Sequence, residues 1–188
     1  MKLIPAALMV FLGFLTITPQ AQKSARPASP RFAQYVQREL THRILMLPYY
    51  GVFDAIGFKV EGYNVTLFGA VTRPTLKDDA ARAVKGIEGV ERVDNQIEVL
   101  PVSFFDDDIR RRMFRAIYGY TPLQRYALPP IAPIRIIVNR GHVTLVGVVD
   151  SKGDRDLVNI RANGVPGVFS VTNNLTVVSS QSAKNREK

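Results

Sequence analysis

The chain has 188 residues, 46% of them hydrophobic and 22% charged, a composition that excludes disorder along its whole length. It carries 25 Lys and Arg against 16 Asp and Glu, a formal net charge of +9. The absence of cysteine excludes a disulfide framework, thiolate zinc, a cysteine nucleophile and a lipid-modified cysteine, and two histidines leave little material for a metal centre.

Residues 1–21 read as a signal peptide: Lys2 gives a positive start, 3–15 are almost wholly apolar, and 16–21 form a small, polar stretch with cleavage near Ala21. The apolar run is shorter than the ~20 residues of a membrane span. An uncleaved anchor is the alternative, and either arrangement puts the body of the protein outside the cytoplasm. Residues 22–30 are a Pro/Ser/Ala linker, and 179–188 form a polar, disordered tail.

The body, 31–178, is a repeat. Shifting the chain by 78 positions aligns 58–99 with 136–177 without a gap, and 13 of the 42 pairs are identical. The body therefore divides into a first module, 31–102, and a second, 103–178. A strand at 58–61, a Gly62-centred turn and a strand at 65–71 make an antiparallel hairpin, with Val65, Leu67, Gly69 and Val71 on one face by period two. Gly69 and its partner Gly147 sit inside strands, where glycine marks close approach by a neighbouring backbone or helix. A helix at 76–85, opened by Pro74 or Thr75 and closed by Gly86, presents Leu76, Ala80, Ala83 and Val84 as one apolar stripe. Its counterpart spans 154–163, closed by Gly164. Last strands follow at 93–99 and 171–177. A further helix precedes each hairpin, at 31–47 and 107–118, and a proline-rich connection at 120–133 is peculiar to the second module. The expected class is α+β: two tandem αββαβ modules, each a three-stranded mixed sheet covered by two helices.

The strands VTLFGAV (65–71) and VTLVGVV (143–149), each followed by a helix and then by GVERVDNQI (89–97) or GVFSVTNNL (167–175), resemble the BON domain (bacterial osmotically inducible and nodulation). That resemblance implies paired αββαβ modules in a cell-envelope protein of the periplasm, with a stress-response setting. It also implies attachment to phospholipid or envelope surfaces in place of catalysis. Many family members are lipid-anchored, whereas this chain has no cysteine to modify.

Charge singles out the second module. Residues 31–102 hold nine basic and nine acidic side chains, while 103–180 hold ten and six. The run RRRMFR (110–115) places Arg111 and Arg115 on one helix face with Arg112 beside them, and Phe114 and Tyr118, also four apart, flank it. Arg111, Arg112, Phe114, Arg115 and Tyr118 are the candidate lipid-binding residues, a basic, aromatic-edged face suited to anionic head groups. The plainer reading is a solvated helix whose Asp106–Asp108 start complements its dipole, with Phe114 in the core.

Asp106–Asp108 lack the glycine and distal glutamate of a calcium loop and read as a helix-capping run. His42 on a helix and His142 at a hairpin turn read as surface residues. Neither GIEG (86–89) nor GVPG (164–167) carries the lysine of a phosphate-cradling loop. No catalytic set, metal site or cofactor motif stands out, so the chain reads as a non-enzymatic envelope protein without a cofactor. Its expected partner is anionic phospholipid, with a protein–protein interaction module of the envelope as the alternative and no nucleic acid.

Overall fold

The computed structural model describes residues 29–178. The expected signal peptide (1–21), most of the expected linker (22–30) and the expected tail (179–188) lie outside the described residues. The elements run α1 (Pro30–Leu45), β1 (Ala55–Glu61), β2 (Asn64–Val71), α2 (Pro74–Lys85), β3 (Arg92–Asn95) and β4 (Glu98–Val99), then α3 (Phe104–Tyr118), a 3-10 helix (Thr121–Ala127), β5 (Ile134–Asn139), β6 (His142–Val149), α4 (Lys152–Asn163) and β7 (Ser170–Val177). In each half a hairpin pairs antiparallel, and the strand after the second helix pairs parallel to the hairpin's second strand. The fold is α+β, two mixed sheets each covered by two helices.

Serine side chains cap the starts of α1, α3 and α4. Ser29 Oγ accepts from Phe32 N at 3.2 Å to open α1, and Ser103 Oγ accepts from Asp106 N at 3.2 Å to open α3. α3 therefore begins at Phe104, three residues before the start expected from apolar spacing alone. Val36, Leu40 and Ile44 of α1 and Ile109, Met113 and Ile117 of α3 are buried at i, i+4, i+8 and face their sheets. Below them lie Val65, Leu67 and Val71 in one core and Val143, Leu145 and Val149 in the other.

The shared identities have physical causes. Gly69 and Gly147 sit at φ +113° and +127°, and an added Cβ would fall on the carbonyl oxygen of Ala55 or Pro133 on the facing chain. The close neighbour is thus backbone. Asn95 Nδ2 donates to Lys77 O at 2.8 Å and Asn173 Nδ2 to Arg155 O at 3.0 Å, so each tethers its last strand to the helix before it. One difference from expectation lies here. In the first half the last strand is interrupted between Asn95 and Glu98, and two short pieces pair with β2 where one strand was expected. β7 runs unbroken along β6.

The two halves are joined by a latch. Residues 50–54, between α1 and β1, lie along the outer edge of β5: Val52 O accepts from Ile136 N at 2.8 Å, and Arg135 Nη1 donates to Gly51 O at 2.6 Å while its guanidinium stacks 4.6 Å from the centre of the Tyr50 ring. Buried Asp54 stiffens the segment, accepting from Gly51 N at 2.9 Å and from Thr72 N at 2.7 Å. Phe53 packs against the second core, 6.4 Å from the Phe114 ring centre.

A hydrogen bond and a cation–π stack of this kind contribute about 1–3 kcal/mol together. In urea unfolding followed by the amide signals of Val65 and Val143, the wild type is expected to lose both halves in one transition. Arg135→Ala combined with Phe53→Ala is expected to separate them, and coincident transitions in that variant would count against the latch.

Candidate functional site

α3 carries the residues singled out from the sequence, and burial sorts them. Arg111, Arg112 and Arg115 are exposed on its outer face. Arg111 lies 3.6 Å from Asp108, and Arg112 pairs with the same carboxylate and donates to Pro166 O at 3.2 Å. Arg115 forms no ion pair among the described residues. Phe114 is half-exposed, its ring centre 5.0 Å from Tyr118.

Tyr118 does not belong to that face. It is 5% exposed, and its hydroxyl donates to Ile134 O at 2.5 Å and accepts from Ile134 N at 3.2 Å. Burial pushes its pKa up to about 12. Four-residue spacing from Phe114 is correct, but Tyr118 is in contact with the start of β5, so its polar tip is satisfied by backbone. Arg110, first of the basic run, is likewise buried and donates to Val138 O at 2.7 Å.

The acidic run divides in the same manner. Ser103 supplies the cap, while fully buried Asp106 accepts from Arg140 N and Gly141 N, both at 2.8 Å, and so ties α3 to the β5–β6 turn. Asp107 and Asp108 pair with the arginines that follow. Among the described residues no three His, Asp or Glu side chains converge as a metal site.

A groove of about 490 Å³ between α3 and α4 extends the basic face. Arg112, Arg115 and Arg161 line it with Ile160, which projects into solvent. Arg161 is held in place by donating to Ala116 O at 3.1 Å and stacking 4.6 Å from the centre of the Tyr120 ring. Sequence reasoning missed Arg161 because it belongs to a different helix, and only the packing of α4 on α3 brings it beside Arg115. Elsewhere, an open groove of about 620 Å³ on α1, lined by Gln34, Gln37, Arg38, Thr41, His42 and Leu45, has no acid–base pair in it.

Asp154 is a second residue the sequence did not reveal. It stands in α4 where α2 has buried Leu76, and the 3-10 helix peculiar to this half supplies its partners. Tyr126 Oη donates to Asp154 Oδ2 at 2.9 Å, Ser151 Oγ does so at 2.7 Å, and Arg125 forms an ion pair with it. The same Tyr126 oxygen accepts from Asp150 N at 2.8 Å, taking the place that Asp54 fills for Thr72 N in the first half. Burial raises the Asp154 pKa, but the bonds from Ser151, Tyr126 and Arg125 outweigh it and hold the carboxyl below its usual value.

Because the folded pKa is depressed, this carboxylate contributes stability above the unfolded value of about 4, and that contribution is lost as pH falls through the folded value. Asp154→Asn is expected to cost about 1–3 kcal/mol near neutrality. Urea denaturation should show the gap to wild type narrowing below about pH 4; a gap independent of pH would contradict the assignment.

The model of the BON domain matches residues 46–101 and 106–179. No curated protein matches the chain. Two solved structures are similar at low identity, both of CdsD, a structural protein of the type III secretion system of Chlamydia trachomatis. One shares 11% identity over 81% of this chain and 97% of its own, with a TM-score of 0.28. The other, its C-terminal domain, shares 12% over 75% and 96%, with a TM-score of 0.26. Among the described residues no helix is long and apolar enough to cross a membrane. With two family matches, one over each of its sheet-and-helix halves, the chain belongs to the BON-domain family.

Proposed function

We propose that this chain is an exported, non-enzymatic protein of the periplasm that attaches to anionic phospholipid surfaces through the second BON unit. The carrying observation is the outer face of α3, where Arg111, Arg112 and Arg115 stand exposed with Arg161 of α4 beside them. Among the described residues Asp108 alone answers Arg111 and Arg112, and it cannot neutralise both. The face therefore keeps net positive charge. Family membership supports an envelope setting for such a surface. The first unit, whose formal charge is balanced, serves as the brace.

Each basic residue near a charged membrane contributes about 1 kcal/mol. Flotation with phosphatidylglycerol-containing vesicles is expected to carry the wild type, with binding that weakens as salt rises. Arg111→Glu/Arg115→Glu should lower the affinity by at least about tenfold. Equal binding by that variant, or binding indifferent to salt and lipid charge, would overturn the reading in favour of a protein partner.

A further inference from the structure

The duplicated fold contains its own comparison. With the buried stripes of α1 and α3 superposed, Phe105 corresponds to Phe32 and Phe104 to Arg31; by the repeat, Phe169 corresponds to Glu91 and Gly141 to Tyr63. Phe105 and Phe32 do the same structural work, each packing over the glycine that precedes the last strand, Gly167 or Gly89. Phe104 has no such duty, and Phe169 lays its ring beside Phe105 where Tyr63, the counterpart of Gly141, lies against Phe32 in the first unit. The first unit places exposed charges, Arg31 and Glu91, at the positions of Phe104 and Phe169 and folds in the same way.

At the tip of the second unit these side chains stand in water: Phe104 is 91% exposed, Phe169 70% and Phe105 49%. Phe105, Phe169 and His142 are contiguous, and Phe104 precedes them at the start of α3. The Phe105 and Phe169 rings are 6.0 Å apart, and His142 lies 5.9 Å from Phe169. Phe169 is fixed by its amide, which donates to Gly141 O at 2.9 Å, and its ring occupies the space that a side chain at Gly141 would need. Basic residues flank the cluster on the β5–β6 turn and further along α3. Arg140 is exposed on the turn, and Phe104 shares one line of α3 with Asp108, Arg111 and Arg115. Asp106 is buried with both oxygens engaged by turn amides, Asp107 is paired with Arg110, and Asp108 with Arg111 and Arg112. Exposed rings flanked by arginines match the boundary between head groups and acyl chains, and they are poorly matched to bulk water.

We infer that Phe104 and Phe169 form an insertion tip that enters the acyl region of an anionic bilayer while the α3 arginines hold its phosphates. This rests on the anionic-membrane reading above and adds a depth and an orientation to it. The chain has no tryptophan, so Phe169→Trp supplies a single fluorophore. Mixed with phosphatidylglycerol vesicles doped with brominated-acyl phosphatidylcholine, this variant is expected to shift to the blue and to be quenched. Glu91→Trp, at the matching position of the first unit, is expected to show neither effect. Phe104→Ser/Phe169→Ser, with circular dichroism confirming the fold, should lose about tenfold or more in affinity, including the part that survives high salt. Flotation without quenching at position 169, or equal quenching at position 91, would overturn the insertion tip and leave membrane attachment standing. Failure of the wild type to float would overturn both.

Discussion

The carbonyl of Val52 meeting the amide of Ile136 is the contact on which the arrangement of this molecule depends. β5 would otherwise present an open edge, and unpaired strand edges invite association with other chains. Tyr118 and Arg110 of α3 occupy that edge at Ile134 and Val138, and the first unit fills it between them with the Val52 carbonyl, offers Tyr50 and Gly51 to Arg135, and sends Phe53 into the second core. α3, the groove beside α4 and the tip of the hairpin are left facing outward on the second unit.

What the two units share is what the fold requires. The glycines at 69 and 147 admit a facing carbonyl, the asparagines at 95 and 173 bind a helix carbonyl, and Phe32 and Phe105 cover a glycine. What they do not share falls into two groups. The Asp154 network and the 3-10 helix form one, a polar replacement for a leucine contact that is satisfied on every side by Ser151, Tyr126 and Arg125. The other is the set of exposed arginines and phenylalanines, among which Arg115 has no ion pair among the described residues and Phe104 is 91% exposed. Divergence that costs burial without stabilising the fold is the expected mark of a surface acting on something outside the chain.

The architecture was largely legible in the sequence, because the repeat, the period-two strands and the glycine-closed helices are local patterns with one structural solution each. The site was only partly legible. Helical spacing placed Phe114 and Tyr118 together correctly, but it carries no information on whether another segment covers them, and β5 covers Tyr118. Asp106 looked like a cap because its partners, the turn amides of Arg140 and Gly141, are distant in sequence. The latch has no local signature, since it pairs an irregular segment with a strand some eighty residues away. Phe104 and Phe169 were in view as letters, but their exposure arises only when three separate segments meet at the tip.

The central claim is that the second copy bears the working surface while the first holds it in position. Hydrogen–deuterium exchange of the chain with and without phosphatidylglycerol vesicles tests it most directly. Slower exchange is expected over 104–115, 140–142 and 166–170, with no change over the corresponding 31–42, 62–64 and 88–92 of the first copy. Protection of the first copy's segments, or of neither copy under conditions where the chain sediments with vesicles, would contradict it.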